Sequence, residues 1–276
     1  KWVVEDAVTD GAVGKYTSIA VNKEGTIGIA YYDQDRKYLR YAWRTIATNK
    51  KGKVKERQDW KTESVAWGLE VGMASELRFD KAGQAHIFYY IPSGRLIHAH
   101  RTKEKLWDKV AAAAATGSFS VSIDVRQKGD GFWLSYVHWT FSDTRLYMAR
   151  SAGVGASSPF SSHLIAEHKG AGWHSQLLEM GSVPGLLYTR SHTGDLFFSY
   201  APHKGERQDW HSQLLLNDVG NFEAAQASSG EMVVVYEDIH GGEPGRGIVR
   251  YLKFKPASEG VRVQRFEFDT MGPSGQ

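Results

Sequence analysis

Five positions in this sequence carry an acid, an aliphatic residue, an imidazole, a guanidinium and a second acid in turn: Asp33, Ile91, His138, Arg190 and Asp238. Each stands two residues after a tyrosine, in the pairs Ala30-Tyr31, Phe88-Tyr89, Ser135-Tyr136, Leu187-Tyr188 and Val235-Tyr236. A residue type that recurs in every copy of a repeat serves packing that every copy needs. A position whose chemistry changes from copy to copy suits contacts with one asymmetric ligand. Tyr32, Tyr90, Trp139 and Glu237 flank these positions and extend the candidate rim.

A second set lies where the partner strands begin: Tyr16, Trp67, Glu70, Phe119, Trp173, His174, Asn221 and Phe222. Aromatic rings flanked by Asp, Glu, Asn, His and Arg suit sugars, because the C–H face of a pyranose stacks on a ring while its hydroxyls take directional hydrogen bonds. Glycoside hydrolysis would need two carboxylates across a cleft, one with a raised pKa. A polysaccharide lyase would need a His or Tyr base and a cation to neutralise a uronate, and His138, His174, Tyr90 and Arg190 have those chemistries. If the protein is an enzyme, its catalytic set is drawn from Asp33, Glu70, His138, Arg190, Glu237 and Asp238. The reading preferred here is a carbohydrate-binding or surface-adhesion protein with a glycan partner and no catalytic residues. A glycosidase or lyase, and a protein-interaction scaffold, are the alternatives. Neither His-Glu-x-x-His nor Asp-x-Asp-x-Asp-Gly occurs, and the run from Gly241 to Gly247 joins two strands rather than a strand to a helix. No metal, cofactor or nucleotide is therefore expected.

The elements that must position these residues are strands. The tyrosines are spaced by 58, 47, 52 and 48 residues, and short runs of strand-like alternation recur between Gly, Asp and Asn turns. A second signature follows each tyrosine: Leu39-Arg-Tyr-Ala42, Leu96-Ile-His-Ala99, Leu146-Tyr-Met-Ala149, Leu196-Phe-Phe-Ser199 and Ile248-Val-Arg-Tyr251. Trp60, Trp107 and Trp210 open outer strands and read as structural, with Glu-Arg-Gln-Asp-Trp repeated at 56 to 60 and 206 to 210. Fixed periods of this length imply propeller blades, since one blade cannot bury both of its faces until neighbours stack on it.

The fold expected is therefore all-β, a single five-bladed β-propeller with four antiparallel strands per blade. Its blades run approximately over 9–66, 67–116, 117–167, 168–219 and 220–269, with 1–8 as a closing strand beside the last blade and 261–276 as an appended strand or tail. In an antiparallel hairpin the start of the first strand and the end of the second share one end, so both candidate sets fall on the same face.

The segment Gly14-Lys-Tyr-Thr-Ser-Ile-Ala-Val-Asn-Lys-Glu-Gly25, followed by Ile-Gly-Ile-Ala-Tyr-Tyr-Asp33 and Leu39-Arg-Tyr-Ala42, resembles the Tyr-Tyr-Asp…Leu-Lys-Tyr-Ala repeats of bacterial exported β-propeller proteins in the broad sialidase-like group. The first blade fits closely and the others progressively less. The resemblance implies the propeller fold and an extracellular or cell-surface setting. The Arg-Ile-Pro and Ser-x-Asp-x-Gly-x-Thr-Trp hallmarks of sialidases are absent, which argues against sialidase activity.

Composition agrees with a globular chain: 276 residues, 41% hydrophobic and 12% aromatic, enough to bury a sizeable core. A net charge of +3 with dispersed basic residues gives no footprint for nucleic acid, and the cluster Lys50, Lys51, Lys53 and Lys55 reads as a solvated loop. With no cysteine there is no disulfide framework or thiolate site, and no apolar run reaches the length of a membrane span.

Overall fold

Two of the turns use the same chemistry. Asn22 accepts the N–H groups of Glu24 and Thr26 at 3.1 and 2.8 Å, and Asp80 accepts the N–H of Gln84 at 2.8 Å. Gly25 and Gly83 then take φ values of 81° and 82°, where an L side chain is strained. Each turn folds one apolar-patterned strand back on the next.

The computed structural model describes residues 4–48, 54–113, 123–139, 144–155, 158–167, 169–180, 183–201, 210–227, 229–239, 248–255 and 263–267. Among the described residues there is no helix, and twenty-one strands form five sheets. Sheet one holds β1 (Lys15–Val21), β2 (Thr26–Asp33), β3 (Tyr38–Thr48), β4 (Val54–Arg57) and β5 (Lys61–Trp67). Sheet two holds β6 (Ser75–Phe79), β7 (Ala85–Tyr90), β8 (Leu96–Lys103) and β9 (Leu106–Ala113). Sheet three holds β10 (Ile123–Lys128), β11 (Gly131–Trp139), β12 (Thr144–Ser151) and β13 (Phe160–Glu167). Sheet four holds β14 (Ala171–Met180), β15 (Val183–Arg190), β16 (Asp195–Tyr200) and β17 (His211–Leu216). Sheet five holds β18 (Val219–Gln226), β19 (Met232–Asp238), β20 (Ile248–Phe254) and β21 (Val263–Glu267).

Two compact units divide the chain, one of Lys1–Phe141 with Tyr147–Ser162, the other of Ser142–Leu146 with His163–Gln276. The first contains sheets one and two and most of sheet three, and the second contains sheets four and five. In the first unit, Ala30, Leu39, Tyr41 and Val65 of sheet one pack on Leu77, Ile87, Tyr89 and Trp107 of sheet two. A second cluster there joins Phe88 and Leu96 to Val125, Phe132 and Tyr136. The second unit packs Leu187, Leu196 and Phe198 on Phe222, Val234, Tyr236 and Leu252. All five repeated tyrosines are buried, and Leu39, Leu96, Leu146 and Leu196 are completely so. Trp107 donates its Nε1–H to Glu63 at 2.8 Å, and the guanidinium of Arg44 lies 4.5 Å from the Trp60 ring.

Two expectations need correction. Sheet one has five strands rather than four, because the eleven-residue β3 pairs with β5 through Tyr38 to Trp43 and with β4 through Ile46 to Thr48. Residues 4–8 form no strand; Glu5 instead bonds the guanidinium groups of Arg44 and Arg57 in sheet one, and that charge pairing holds the segment there. Sheet five takes its fourth strand from β21, which lies antiparallel to β20. Residues 1–3, Lys50, Lys51, Lys53, Phe119, 206–209, Gly241 to Gly247 and 268–276 lie outside the described residues.

In three sheets the free edge of the first strand is capped by a polar side chain of the preceding sheet. Ser18 Oγ of β1 accepts the N–H of Leu77 in β6 at 2.9 Å, and Arg78 of β6 donates Nε to the carbonyl of Val125 in β10 at 2.6 Å. In the second unit the Gln176 amide of β14 donates to the carbonyl of Ala224 in β18 at 2.7 Å and accepts its N–H at 2.8 Å. Backbone groups left facing a neighbouring sheet without such partners would be costly. Gln176→Leu should therefore lower stability by about 1–2 kcal/mol, read as a drop in the urea midpoint of the second unit. An unchanged midpoint would contradict the capping role.

Candidate functional site

In every sheet the start of the first strand lies beside the end of the second. Lys15 stands opposite Tyr32, Ser75 opposite Tyr89, Ile123 opposite Tyr136, Ala171 opposite Arg190 and Val219 opposite Asp238. At this end the first strands of three sheets bulge. One extra residue is inserted between Lys15 and Ser18, two between Ala171 and Ser175, and one between Val219 and Phe222. A bulge re-aims side chains and ends regular pairing. The residues it re-aims here are Tyr16, Trp173, His174 and Asn221.

In the first unit the bulge holds Tyr16 at φ 53°, a left-handed conformation that is rare for a bulky side chain, and leaves the ring 48% exposed. Its ring centroid lies 6.4 Å from that of Tyr32, which is buried, and its carbonyl accepts the Ser75 hydroxyl at 3.4 Å. The Tyr32 hydroxyl accepts the N–H of Glu70 at 3.4 Å, and Glu70 also has positive φ, 64°. Trp67, at the end of β5, is 80% exposed. The segment after it is fixed by Gly72, at φ 88°, where a Cβ would stand 2.7 Å from Leu39 Cδ1. The ring contact and the hydrogen bond thus link Tyr16, buried Tyr32 and the Glu70 backbone, and Trp67 stands three residues before Glu70 at the end of β5.

The second unit repeats the construction. Trp173, 48% exposed, and His174 lie in the β14 bulge, and the His174 ring meets the Phe222 ring edge-on at 4.6 Å. Phe222 itself is buried and belongs to the core, while its neighbour Asn221 is exposed. Glu237 points toward Gly220, where a Cβ would lie 2.6 Å from Glu237 Oε2.

The charged rim positions are engaged in hairpin closure. Asp33 is fully buried, accepts the Arg36 N–H at 3.0 Å, and pairs with the guanidinium groups of Arg36 at 3.1 Å and Arg40 at 3.5 Å. Burial pushes its carboxyl up, but the bonds from Arg36 and the charge of Arg40 outweigh this and leave its pKa lowered. Across the corresponding hairpin of sheet four the signs are reversed. Arg190 pairs with Asp195, which also accepts hydrogen bonds from Thr193 and Asn217. Burial raises the Asp195 pKa, and those bonds overcome it and lower it. Asp238 closes the third such hairpin with Arg250 at 3.1 Å. Tyr90 is buried in the core of the first unit, and His138 stands half-buried with its ring 6.4 Å from that of Tyr147. Trp139 ends β11, and its side chain lies outside the described set.

Sequence reasoning missed a polar series inside the first strands: Ser18, Glu76, Asp124, Gln176 and Glu223. Each stands opposite the residue that precedes a repeated tyrosine. In the first unit they form a chain, with Ser18 Oγ donating to Glu76 at 3.1 Å, Glu76 paired with Arg78, and Arg78 paired with Asp124 at 3.1 Å. Burial raises the Glu76 pKa; Arg78 opposes this and Asp124 adds to it. Among the described residues no group of three or more His, Asp or Glu side chains could hold a metal ion.

No protein-family model matches this sequence, and no curated protein matches it. Solved structures do. A fucose-specific lectin from Aleuria aurantia superposes with a TM-score of 0.54 at 12% identity, over 92% of this chain and 79% of the lectin. The polysaccharide lyase Uly1 gives 0.57 at 9% identity, over 96% and 74%, and the hydrazine synthase of Kuenenia stuttgartiensis gives 0.59 at 11%, over 98% and 70%. The fold is propeller-like. At these identities the likeness is one of fold alone, and three such different proteins on one fold leave function to the site.

Proposed function

We propose that the chain binds carbohydrate without turning it over, through Tyr16, Trp67 and Glu70, with buried Tyr32 supporting Tyr16 and the Glu70 backbone from beneath. The observation that carries this is two exposed aromatic residues on separate segments, each at or near left-handed backbone: Tyr16 in the β1 bulge at φ 53°, and Trp67 three residues before Glu70 at φ 64°. Strain of this kind costs about 1–3 kcal/mol per residue and persists where the surroundings over-determine it, often at ligand sites. The rings offer stacking platforms for a pyranose, and Glu70 offers a carboxylate beside them for its hydroxyls. Two of the structural neighbours, the fucose-specific lectin and the polysaccharide lyase, are named for carbohydrates, which agrees with this reading.

The enzymatic alternative is less favoured because two of the four candidate acids and the candidate cation are engaged, Asp33 with two arginines, Asp238 with Arg250 and Arg190 with Asp195. A glycan ligand agrees with the extracellular or cell-surface setting that the sequence resemblance implies; the described residues contain no helix long and apolar enough to cross a membrane.

Two variants separate binding from folding. Trp67→Ala should reduce glycan-array binding by about 10- to 100-fold, the loss of one aromatic–sugar contact of roughly 1.5–3 kcal/mol, and leave the melting temperature unchanged. Tyr16→Asn should weaken binding while raising stability by about 1 kcal/mol, since Asn tolerates the left-handed region. Full binding by both variants would move the site elsewhere, and release of reducing ends from a polysaccharide panel would restore the enzymatic reading.

A further inference from the structure

The two seams are built to one plan. In sheet one the bulge carries Tyr16, whose carbonyl accepts the hydroxyl of Ser75 in the next sheet; in sheet four it carries Trp173 and His174, and His174 meets Phe222 of the next sheet. Ser75 and Phe222 hold the same register position, each opposite a repeated tyrosine, Tyr89 and Tyr236. Both bulges hold an aromatic residue that is about half exposed. Their polar neighbours differ: the Tyr32 hydroxyl and Glu70 in the first unit, His174, Asn221 and Glu237 in the second.

Packing alone does not account for Trp173. A core residue would be covered, and the same six residues, Trp-His-Ser-Gln-Leu-Leu, begin again at Trp210. There the tryptophan precedes the outer strand β17 and is half-buried, whereas the copy at 173 is lifted out by two inserted residues. Gly170 and Gly172, at φ 82° and 79°, make the excursion.

We infer that the second unit carries its own sugar-binding station on Trp173, His174 and Asn221, so that one chain engages two separate residues of a polysaccharide. The inference rests on the carbohydrate reading of the first unit. The differing polar sets mean that the stations accept sugar units of different hydroxyl pattern, which fits a polymer of mixed composition better than a single free sugar. Two stations on one polymer raise apparent affinity above that of either one.

The test is binding of the full chain to surfaces coated in turn with arabinan, laminarin, xylan and ulvan, followed by biolayer interferometry. Trp67→Ala, Trp173→Ala and the double variant are compared with the unaltered chain, with urea midpoints as the check on folding. Each single variant should lose 10-fold or more in apparent affinity for the polymer that binds best, and the double variant should lose 100-fold or more. If Trp173→Ala binds as the unaltered chain does while Trp67→Ala is weakened, the second station is refuted and the first stands. If Trp173→Ala alone is weakened, the second unit binds and the proposal for the first unit is refuted. Failure of the unaltered chain on all four polymers, and on a glycan array, would refute the carbohydrate reading and the second station with it.

Discussion

Glu63→Ala should destabilise the first unit by about 3–5 kcal/mol, the cost of leaving one partner of a buried ion pair uncompensated. The Glu63 carboxylate, in β5 of sheet one, is buried and takes four donors from the β8–β9 hairpin of sheet two. They are Arg101 Nε at 2.8 Å, Arg101 Nη2 at 3.1 Å, the Lys105 N–H at 2.9 Å and Trp107 Nε1 at 2.8 Å. Arg101 also lies over Trp43, 4.3 Å from its ring. Removing the carboxylate strands a guanidinium and an indole N–H between two packed sheets. Glu63→Gln should cost nearly as much, because the amide loses the charge and sets an NH2 group against donors. The Glu63→Leu/Arg101→Leu pair should be milder than either single change, since removing both charges leaves neither unpaired. Urea titration followed by tryptophan fluorescence reads these differences. A Glu63→Ala midpoint equal to that of the unaltered chain would show that the two sheets are held by apolar packing alone.

Acid should weaken the same unit through two buried imidazoles. His86 and His98 are completely buried on neighbouring strands, with Nδ1 of one 2.9 Å from Nε2 of the other, and their flat faces stack on His100 and Phe88. Desolvation, aided by the neighbouring imidazoles, lowers both pKa values to about 3. A contact between two ring nitrogens needs one N–H and one bare nitrogen, so the pair tolerates two added protons poorly. In the unfolded chain each imidazole protonates near its ordinary value of about 6.5. The stabilisation is therefore complete above that value and drains away as pH falls from it toward 3, by about 2 kcal/mol per imidazole at roughly pH 5. Urea midpoints taken between pH 7 and 5 should fall steeply, and more shallowly in His86→Leu/His98→Leu. A flat profile in the unaltered chain would contradict the account.

The scaffold was legible because packing repeats itself. Tyr31, Tyr89, Tyr136, Tyr188 and Tyr236 recur in every sheet, and a leucine follows in four of them and Ile248 in the fifth; every one of those tyrosines is buried. The polar series Ser18, Glu76, Asp124, Gln176 and Glu223 was missed although a signal was present, since its intervals of 58, 48, 52 and 47 residues are close to those of the tyrosines. What the sequence hid were departures from regular pairing. A bulge adds residues without changing their type, so the hexapeptide at Trp173 and its copy at Trp210 read alike although one lies in an inner strand and the other begins an outer one. The partners of the rim charges were hidden for a related reason: Arg36, Arg40, Asp195 and Arg250 stand at unequal distances along the chain from the residues they neutralise. At the N-terminus, the apolar residues among 2–8 suggested a closing strand, but residues 4–8 form no strand and Glu5 pairs with Arg44 and Arg57.

The most direct test of the central claim is a glycan array probed with the unaltered chain beside Tyr16→Asn and Trp67→Ala. The account predicts binding to a defined set of glycans by the unaltered chain, and its loss in both variants while their melting temperatures stay level or rise. Binding that survives in both variants, or no binding by any of the three, would contradict it.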